Sequence, residues 1–167
     1  EYMSNREQKI LDTVDSLADD IVDFTCKLVE QPSTLGNEAG AINIFESKLI
    51  ELGFSTSRID LSSEEVKQHP GYAPVLWSHE GKYNVAGMLV PHSKGGKSAL
   101  FNGHLDVVDT GNPDYWSQDP FAPYMRDGWI YGRGAGDMKA GVSAMTYAAF
   151  AVVKAGFSLC APFTVEG

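Results

Sequence analysis

The run Ser98-Ala99-Leu100-Phe101-Asn102-Gly103-His104-Leu105-Asp106 decides the fold that we expect for this chain. Its first four residues predict a short apolar strand, and His104 and Asp106 follow where that strand ends. Residues two apart in an extended chain share a face, so these two side chains are predicted to project together. Ligands of α/β proteins bind at the carboxyl edge of the sheet. The run therefore predicts a strand that delivers a histidine and an aspartate to one point.

Amphipathic helices are predicted on both sides of this strand. Apolar residues recur at steps of three and four from about Asn5 to Glu30, which predicts one helix that Pro32 ends. A second helix fits Glu38 to Leu52, with Gly53 as its C-cap signal. A third, from Met138 to Ala155, is rich in alanine, methionine and valine and is expected to be buried on most sides.

Further strands and turns alternate with these helices, which predicts an α/β layered fold. The predicted elements are a strand from Phe54 to Ile59, a capping box at Ser62-Ser63-Glu64-Glu65, strands around a turn at Gly81 within Val75–Val90, a basic loop at Pro91–Lys97, a long polar loop from Asp109 to Pro123, a hairpin at Tyr124–Tyr131 turning at Asp127-Gly128, and a last strand within Ala161–Gly167.

Composition excludes several classes of protein. The 167 residues carry a net charge of −9, which makes a nucleic-acid partner unexpected. Apolar runs are short, so we expect no membrane span, and no signal peptide pattern opens the chain. Cys26 and Cys160 are far apart, which excludes a disulfide scaffold and a zinc ribbon and favours a reducing cytoplasm.

Two glycine-rich motifs fail as nucleotide-binding loops. Gly95-Gly96-Lys97-Ser98 would need a glycine where Pro91 stands and a helix where an apolar strand is predicted. Gly132-Arg133-Gly134-Ala135-Gly136-Asp137 would need a third glycine where Asp137 stands. A nucleotide-binding protein is therefore not favoured.

His104, Asp106 and Asp137 are the candidate site residues, and each has a structural alternative. A metal-bound histidine commonly donates its other ring N–H to a carboxylate, as His104 and Asp106 allow. Without a metal, the same pair is a histidine hydrogen-bonded to a nearby aspartate. Asp137 precedes a helix, and aspartate is a favoured N-cap, so taken alone it is interpreted as a cap. Gly132, Gly134 and Gly136 allow positive φ values and a close approach to a ligand instead.

Read together, these pieces resemble the amino-terminal half of the M20 family of metallopeptidases and deacylases. The matching segments, in order, are Asn84–Gly87, Phe101–Val108, Trp116–Phe121, Asp127–Gly134 and Asp137–Gly141. The resemblance implies a three-layer zinc-exopeptidase-like α/β domain with a mixed central sheet. Residues 1–167 are expected to be an incomplete amino-terminal portion of it, without the lid or dimerisation domain and without the carboxyl-terminal catalytic part.

The resemblance also implies a role for each candidate residue. His104 matches a metal-binding histidine, Asp106 matches the catalytic acid that orients it, and Asp137 matches a carboxylate that bridges two zinc ions, with Co²⁺ as an alternative metal. The family's peptide bond after this last aspartate is typically cis. Trp116 and Phe121 match positions that we interpret as walls of the site.

The implied activity is zinc-dependent hydrolysis of an amide bond in an N-acyl amino acid or small peptide, by a cytoplasmic homodimer. Asp109 and Gly136 depart from many members and favour a branch like acetylornithine deacetylase; a dipeptidase or carboxypeptidase is the alternative. The family's adjacent glutamate pair, which supplies the general base, is not matched, because Gly167 follows Glu166. The chain alone is therefore expected to be inactive, and a non-catalytic binding module stays open.

Overall fold

A computed structural model describes residues 3–91 and 95–167. Both helices and strands occur along these residues. In chain order they are α1 (Asn5–Ser16), α2 (Ala18–Val29), α3 (Ala39–Glu51), β1 (Ser55–Asp60), α4 (Glu64–Gln68), β2 (Tyr83–Leu89), β3 (Ala99–Asn102), β4 (Tyr124–Arg126), β5 (Trp129–Tyr131), α5 (Ala140–Lys154) and β6 (Phe163–Glu166). A short 3₁₀ turn at Pro113–Tyr115 and a wide helical turn at Ala135–Lys139 complete the set.

Four strands form a mixed sheet in the order β1-β2-β6-β3. The pairs β1–β2 and β2–β6 are antiparallel, whereas β6 and β3 are parallel. The last strand, β6, lies inside the sheet, where Val165 is paired with Gly87 on one side and Phe101 on the other. The predicted mixed sheet is therefore confirmed, and the last strand fixes the position of β3 and of the residues that follow it.

The helices that pack on the sheet cover one of its faces. A Cβ added at Gly87 would meet Leu49 of α3, and one added at Gly103 would meet Val142 of α5. These two glycines share a face, since Gly87 is in register with Phe101 through β6 and Gly103 lies two residues beyond it. The core between helices and sheet is one cluster, which includes Phe24, Phe45, Leu49, Val85, Tyr147 and Val165.

The first predicted helix is wrong in one respect, because it is two helices broken at Leu17. The φ and ψ of this residue are −102° and 3°, and its N–H bonds to Val14 three residues back. Its side chain is buried, so the apolar spacing continues across the break and conceals it from periodicity. The two halves have separate packing partners, because α1 packs on α5 while α2 packs on both α3 and α5.

Two smaller predictions also need correction. Strand structure within Val75–Val90 is confined to β2, although the turn at Gly81 is present with φ of 72°. The helix predicted near Ser62 exists as α4, but Ser63 is its N-cap and accepts a bond from Val66 N–H. Ser62 bonds to Asp60 instead, so the predicted capping box does not form.

The remaining elements agree with the sequence patterns. The hairpin β4–β5 turns through Asp127 and Gly128, whose φ values are 54° and 80°. Gly95 and Gly96 lead into strand β3, although residues 92–94 of the predicted basic loop lie outside the described residues. None of the helices described is long and apolar enough to cross a membrane. Both cysteines lie in described segments, and both are free.

Candidate metal centre

Two separate segments bring the candidate residues together. His104 and Asp106 lie in the extended segment after β3, which continues from the sheet through a 2.9 Å bond from Gly103 N–H to Glu166 O. Asp137 lies in the wide turn before α5. Its Oδ1 is 3.1 Å from Nε2 of His104, although the two residues are 33 positions apart.

The imidazole of His104 has oxygen atoms at both nitrogens. Its Nδ1 lies 3.0 Å from the backbone carbonyl oxygen of Asp106 and 3.4 Å from Oδ1 of the same residue. The carbonyl oxygen of Asp106 and the carboxylate of Asp137 both only accept, so either ring nitrogen can carry the proton of a neutral imidazole. When a metal ion binds Nε2, the proton lies on Nδ1, where the carbonyl oxygen of Asp106 accepts it.

The aspartate before α5 is not a helix cap. Its φ and ψ are −134° and 96°, and within the described chain no side chain caps this helix. The interpretation of Asp137 as an N-cap is therefore wrong, because its carboxylate faces His104 instead. The peptide bond from Asp137 to Met138 is cis, as the resemblance implies.

Among the three predicted glycines of this bend, Gly134 is the one with positive φ, at 79°. A Cβ added there would collide with the side chain of Val107, which lies on the segment that carries His104. A residue with a side chain would therefore push the two segments of the site apart. Glycine is needed here for both its backbone angle and its close approach.

The pair formed by His104 and Asp137 fits a zinc ion. Two ligand atoms at about 2.0–2.2 Å from one tetrahedral zinc are about 3.4 Å apart, close to the observed 3.1 Å. Both side chains reach solvent, at 46% exposure for His104 and 91% for Asp137. No group of three or more His, Cys, Asp or Glu side chains with metal-binding geometry occurs within residues 3–91 and 95–167. The described chain thus offers two ligands for one ion.

Three contacts that support this site were not predicted from the sequence. Ser33 is fully buried, its hydroxyl donates to Leu105 O, and its carbonyl accepts from Val107 N–H at 2.9 Å. Lys139, also fully buried, donates from Nζ to Gln31 O at 2.9 Å. Burial lowers the pKa of Lys139 to about 8, and the nearby Asp106 carboxylate opposes this shift. Lys139 lies within the matching segment Asp137–Gly141, but the match implies no role for it.

The predicted wall residues take different positions. Trp116 lines a cleft of about 380 Å³ together with Tyr124, Tyr131 and Gly136, next to Asp137. The Arg133 guanidinium lies 5.1 Å from the centre of the Trp116 ring, so this tryptophan also supports the glycine-rich bend. Phe121 is not part of this cleft lining; its N–H bonds to Asp119 at 2.9 Å.

A second cavity, of about 650 Å³, opens beside His104 and Asp106. Trp77 and His79, from the segment before β2, also line it. Lys82 and Glu38 form an ion pair at 3.0 Å in its wall. The candidate site thus faces open space that a substrate can enter.

The sequence matches a known family. A family model described as Peptidase family M20/M25/M40 matches residues 100–165. Succinyl-diaminopimelate desuccinylase of Parvibaculum lavamentivorans is 35% identical over 138 residues, which are 83% of this chain and 31% of that protein. The enzyme of the same name from Acidovorax ebreus is 36% identical over 125 residues, 75% of this chain and 30% of that protein. The chain belongs to the M20 family, as the resemblance implies, and it spans less than a third of these relatives.

Solved structures show the same fold. Human carnosine dipeptidase 1 superposes with a TM-score of 0.72 at 22% identity, covering 98% of this chain and 34% of that one. A dipeptidase of Saccharomyces cerevisiae gives 0.73 at 19% identity, covering 95% and 33%. An M20 metallo-carboxypeptidase of Sulfolobus solfataricus gives 0.67 at 18% identity, covering 87% and 30%. The predicted fold class, a mixed α/β domain of M20 metallopeptidases, is confirmed.

Proposed function

We propose that this chain supplies His104 and Asp137 as metal ligands to a zinc centre that hydrolyses an amide bond. The proposed substrate is an N-acyl amino acid or a small peptide, and the whole protein is the unit that turns it over. Desuccinylase, dipeptidase and carboxypeptidase, the activities in the names of the similar proteins, all cleave such a bond. The curated relatives are desuccinylases, which supports an N-acyl amino acid over a dipeptide.

The observation that carries the proposal is the 3.1 Å approach of Nε2 of His104 to Oδ1 of Asp137. Asp106 acts on the other side of the ring, where its carbonyl oxygen accepts the proton of Nδ1 when Nε2 binds the metal. A histidine in this tautomer presents the Nε2 lone pair that a metal requires. The Asp137 carboxylate, which lies beside Nε2, then binds the same metal ion.

Zinc, when bound, polarises a carbonyl group and lowers the pKa of a bound water. The residues of this chain hold and orient that centre: His104 binds through Nε2, Asp137 adds a negative charge, and Asp106 keeps the ring in position. A catalytic zinc needs about three protein ligands, and the described chain brings two. We therefore expect weak zinc binding and no turnover by the 167 residues alone.

Zinc titration tests the proposal. A competition assay with a chromophoric chelator measures the zinc Kd of the chain and of the variants His104→Ala, Asp137→Asn and His69→Ala. His69 is the matched control, because it lies in another part of the chain and accepts a bond from Gly71 N–H. We expect the first two variants to lose at least tenfold in affinity and the control to keep it. Equal affinity in all four proteins contradicts the proposal.

Substrate branch and assembly belong to the same proposal. A branch like acetylornithine deacetylase and one like succinyl-diaminopimelate desuccinylase both release an amine and a carboxylate, and kcat/KM of the whole protein on the two acylated substrates separates them. We further propose a cytoplasmic homodimer; the free thiols of Cys26 and Cys160 are compatible with a reducing compartment.

A further inference from the structure

The loop Gln31-Pro32-Ser33 after α2, which we call the brace, contacts both segments of the candidate metal centre. It lies far from them in sequence, with separations of 72 residues for the bond to Leu105 and 108 residues for the bond to Lys139. One loop thus holds the extended segment that carries Asp106 and the turn that carries Asp137.

The first contact fixes the segment around Asp106. The hydroxyl of Ser33 donates to Leu105 O, and its carbonyl accepts from Val107 N–H at 2.9 Å. These two bonds clamp the backbone on both sides of Asp106, the residue whose carbonyl oxygen meets Nδ1 of His104 at 3.0 Å. Ser33 is fully buried, so water does not compete for either bond.

The second contact fixes the turn around Asp137. Lys139 Nζ donates to Gln31 O at 2.9 Å, and its own N–H bonds to Gly134 O at 3.0 Å. Lys139 is fully buried two residues after the 91% exposed carboxylate of Asp137. Within the turn, the Lys139 side chain is held in the interior, and the Asp137 side chain, two residues before it, reaches the site.

We propose that Ser33 and Lys139 are positioning residues, which act through the brace to hold His104 and Asp137 at the separation that a shared metal needs. This inference rests on the proposed function. A lysine is poorly suited to mere filling of this space, because a buried ammonium is costly unless it is paired. Its hydrogen bond to Gln31 O and the charge of Asp106 nearby give the ammonium a specific position.

The test compares three variants of the full chain. Lys139→Met keeps the length of the side chain and removes the ammonium, and Ser33→Ala removes the hydroxyl alone. Thr146→Val is the matched control: its hydroxyl is fully buried on α5 and donates to Val142 O at 2.8 Å, and it bonds neither to the brace nor to Lys139. Circular dichroism checks that each protein is folded.

Two readouts separate positioning from packing. Zinc affinity is expected to fall 10- to 100-fold in Lys139→Met and in Ser33→Ala, and to stay within threefold of wild type in Thr146→Val. Metal-free ¹H–¹⁵N spectra of the His104 ring at pH 7.5 are expected to show a larger share of the Nδ1–H tautomer in wild type than in the two brace variants, because the brace holds Asp106 O at Nδ1. Loss of packing alone does not select a tautomer.

Unchanged tautomer and affinity in the brace variants would overturn the inference, and so would an equal loss in Thr146→Val. If Lys139→Met does not fold, Ser33→Ala decides through the other contact. If the wild-type chain binds no zinc, the proposed function fails, while the spectra still decide whether the brace positions His104.

Discussion

The buried ammonium of Lys139 makes the stability of this chain depend on pH in an unusual direction. Burial lowers its pKa in the folded chain to about 8, against an ordinary value of 10.5. The folded chain therefore releases this proton at a lower pH than the unfolded chain does. Between pH 8 and 10.5 the unfolded state binds more protons, so the free energy of unfolding rises with pH. Below pH 8 both states carry the proton, and the destabilisation is complete.

The size of this effect follows from the two pKa values. Each pH unit between them contributes about 1.4 kcal/mol, so the whole interval contributes about 3 kcal/mol. Lys139→Met abolishes this contribution and leaves Gln31 O without its donor, which costs about 1–3 kcal/mol at every pH. We expect the variant to be about as stable as wild type at pH 7, and wild type to gain about 3 kcal/mol over it by pH 10.5.

Urea unfolding followed by tryptophan fluorescence measures this difference at pH 7, 8, 9, 10 and 10.5. Subtracting the variant from wild type removes the titration of all groups that the two proteins share. Thr146→Val, which loses a buried hydroxyl on α5 and no titrating group, should differ from wild type by the same amount at every pH. A flat difference for Lys139→Met across this range would refute the reasoning.

Three further substitutions test the fold that supports the site. Gly134→Ala should cost more than about 2 kcal/mol by urea unfolding, because φ is 79° and a Cβ has no space, whereas Gly136→Ala should stay within about 0.5 kcal/mol; equal losses contradict this. Phe45→Ala should lower the free energy of unfolding by about 3–5 kcal/mol, because this side chain is fully buried. Ile50 lies on the same helix and is 59% exposed, so Ile50→Ala should lower it far less. Ser63→Ala should cost about 1 kcal/mol through the lost cap of α4, and an unchanged Tm speaks against that cap.

Local patterns predicted those parts of the structure that local forces determine. Asp127-Gly128 predicts the hairpin because a tight turn requires positive φ at both residues, and both have it. The run from His104 to Asp106 placed two polar groups together because their spacing keeps them within reach of each other. The break at Leu17 was not predictable from periodicity, since a buried leucine continues the apolar pattern through a residue that is not helical.

Only the exposed residues of the candidate site, His104, Asp106 and Asp137, were predictable from the sequence. The family motif predicted Asp137 as a site residue, whereas its position before a helix, taken alone, predicted a helix cap. In the structure its carboxylate faces His104 and does not cap the helix. Ser33 and Gln31 carried no signal, because each bonds to a backbone or side-chain group more than 70 residues away. Sequence spacing cannot report such contacts, which arise when the sheet and α5 bring remote segments together.

The turn at residues 135–139 contains one exposed and one buried charged residue, Asp137 and Lys139. This difference explains its composition. Asp137, the proposed metal ligand, is 91% exposed, and an exposed carboxylate on a loop has no fixed position of its own. The fixed position comes from Lys139, which is two residues further on and fully buried, and from Gly134, which admits Val107 against the turn. A hydrophobic residue at 139 would fill the space without bonding Gln31 O, and would leave the carboxylate less well oriented. The buried ammonium of Lys139 thus lowers the stability of the fold but holds the Asp137 carboxylate in position.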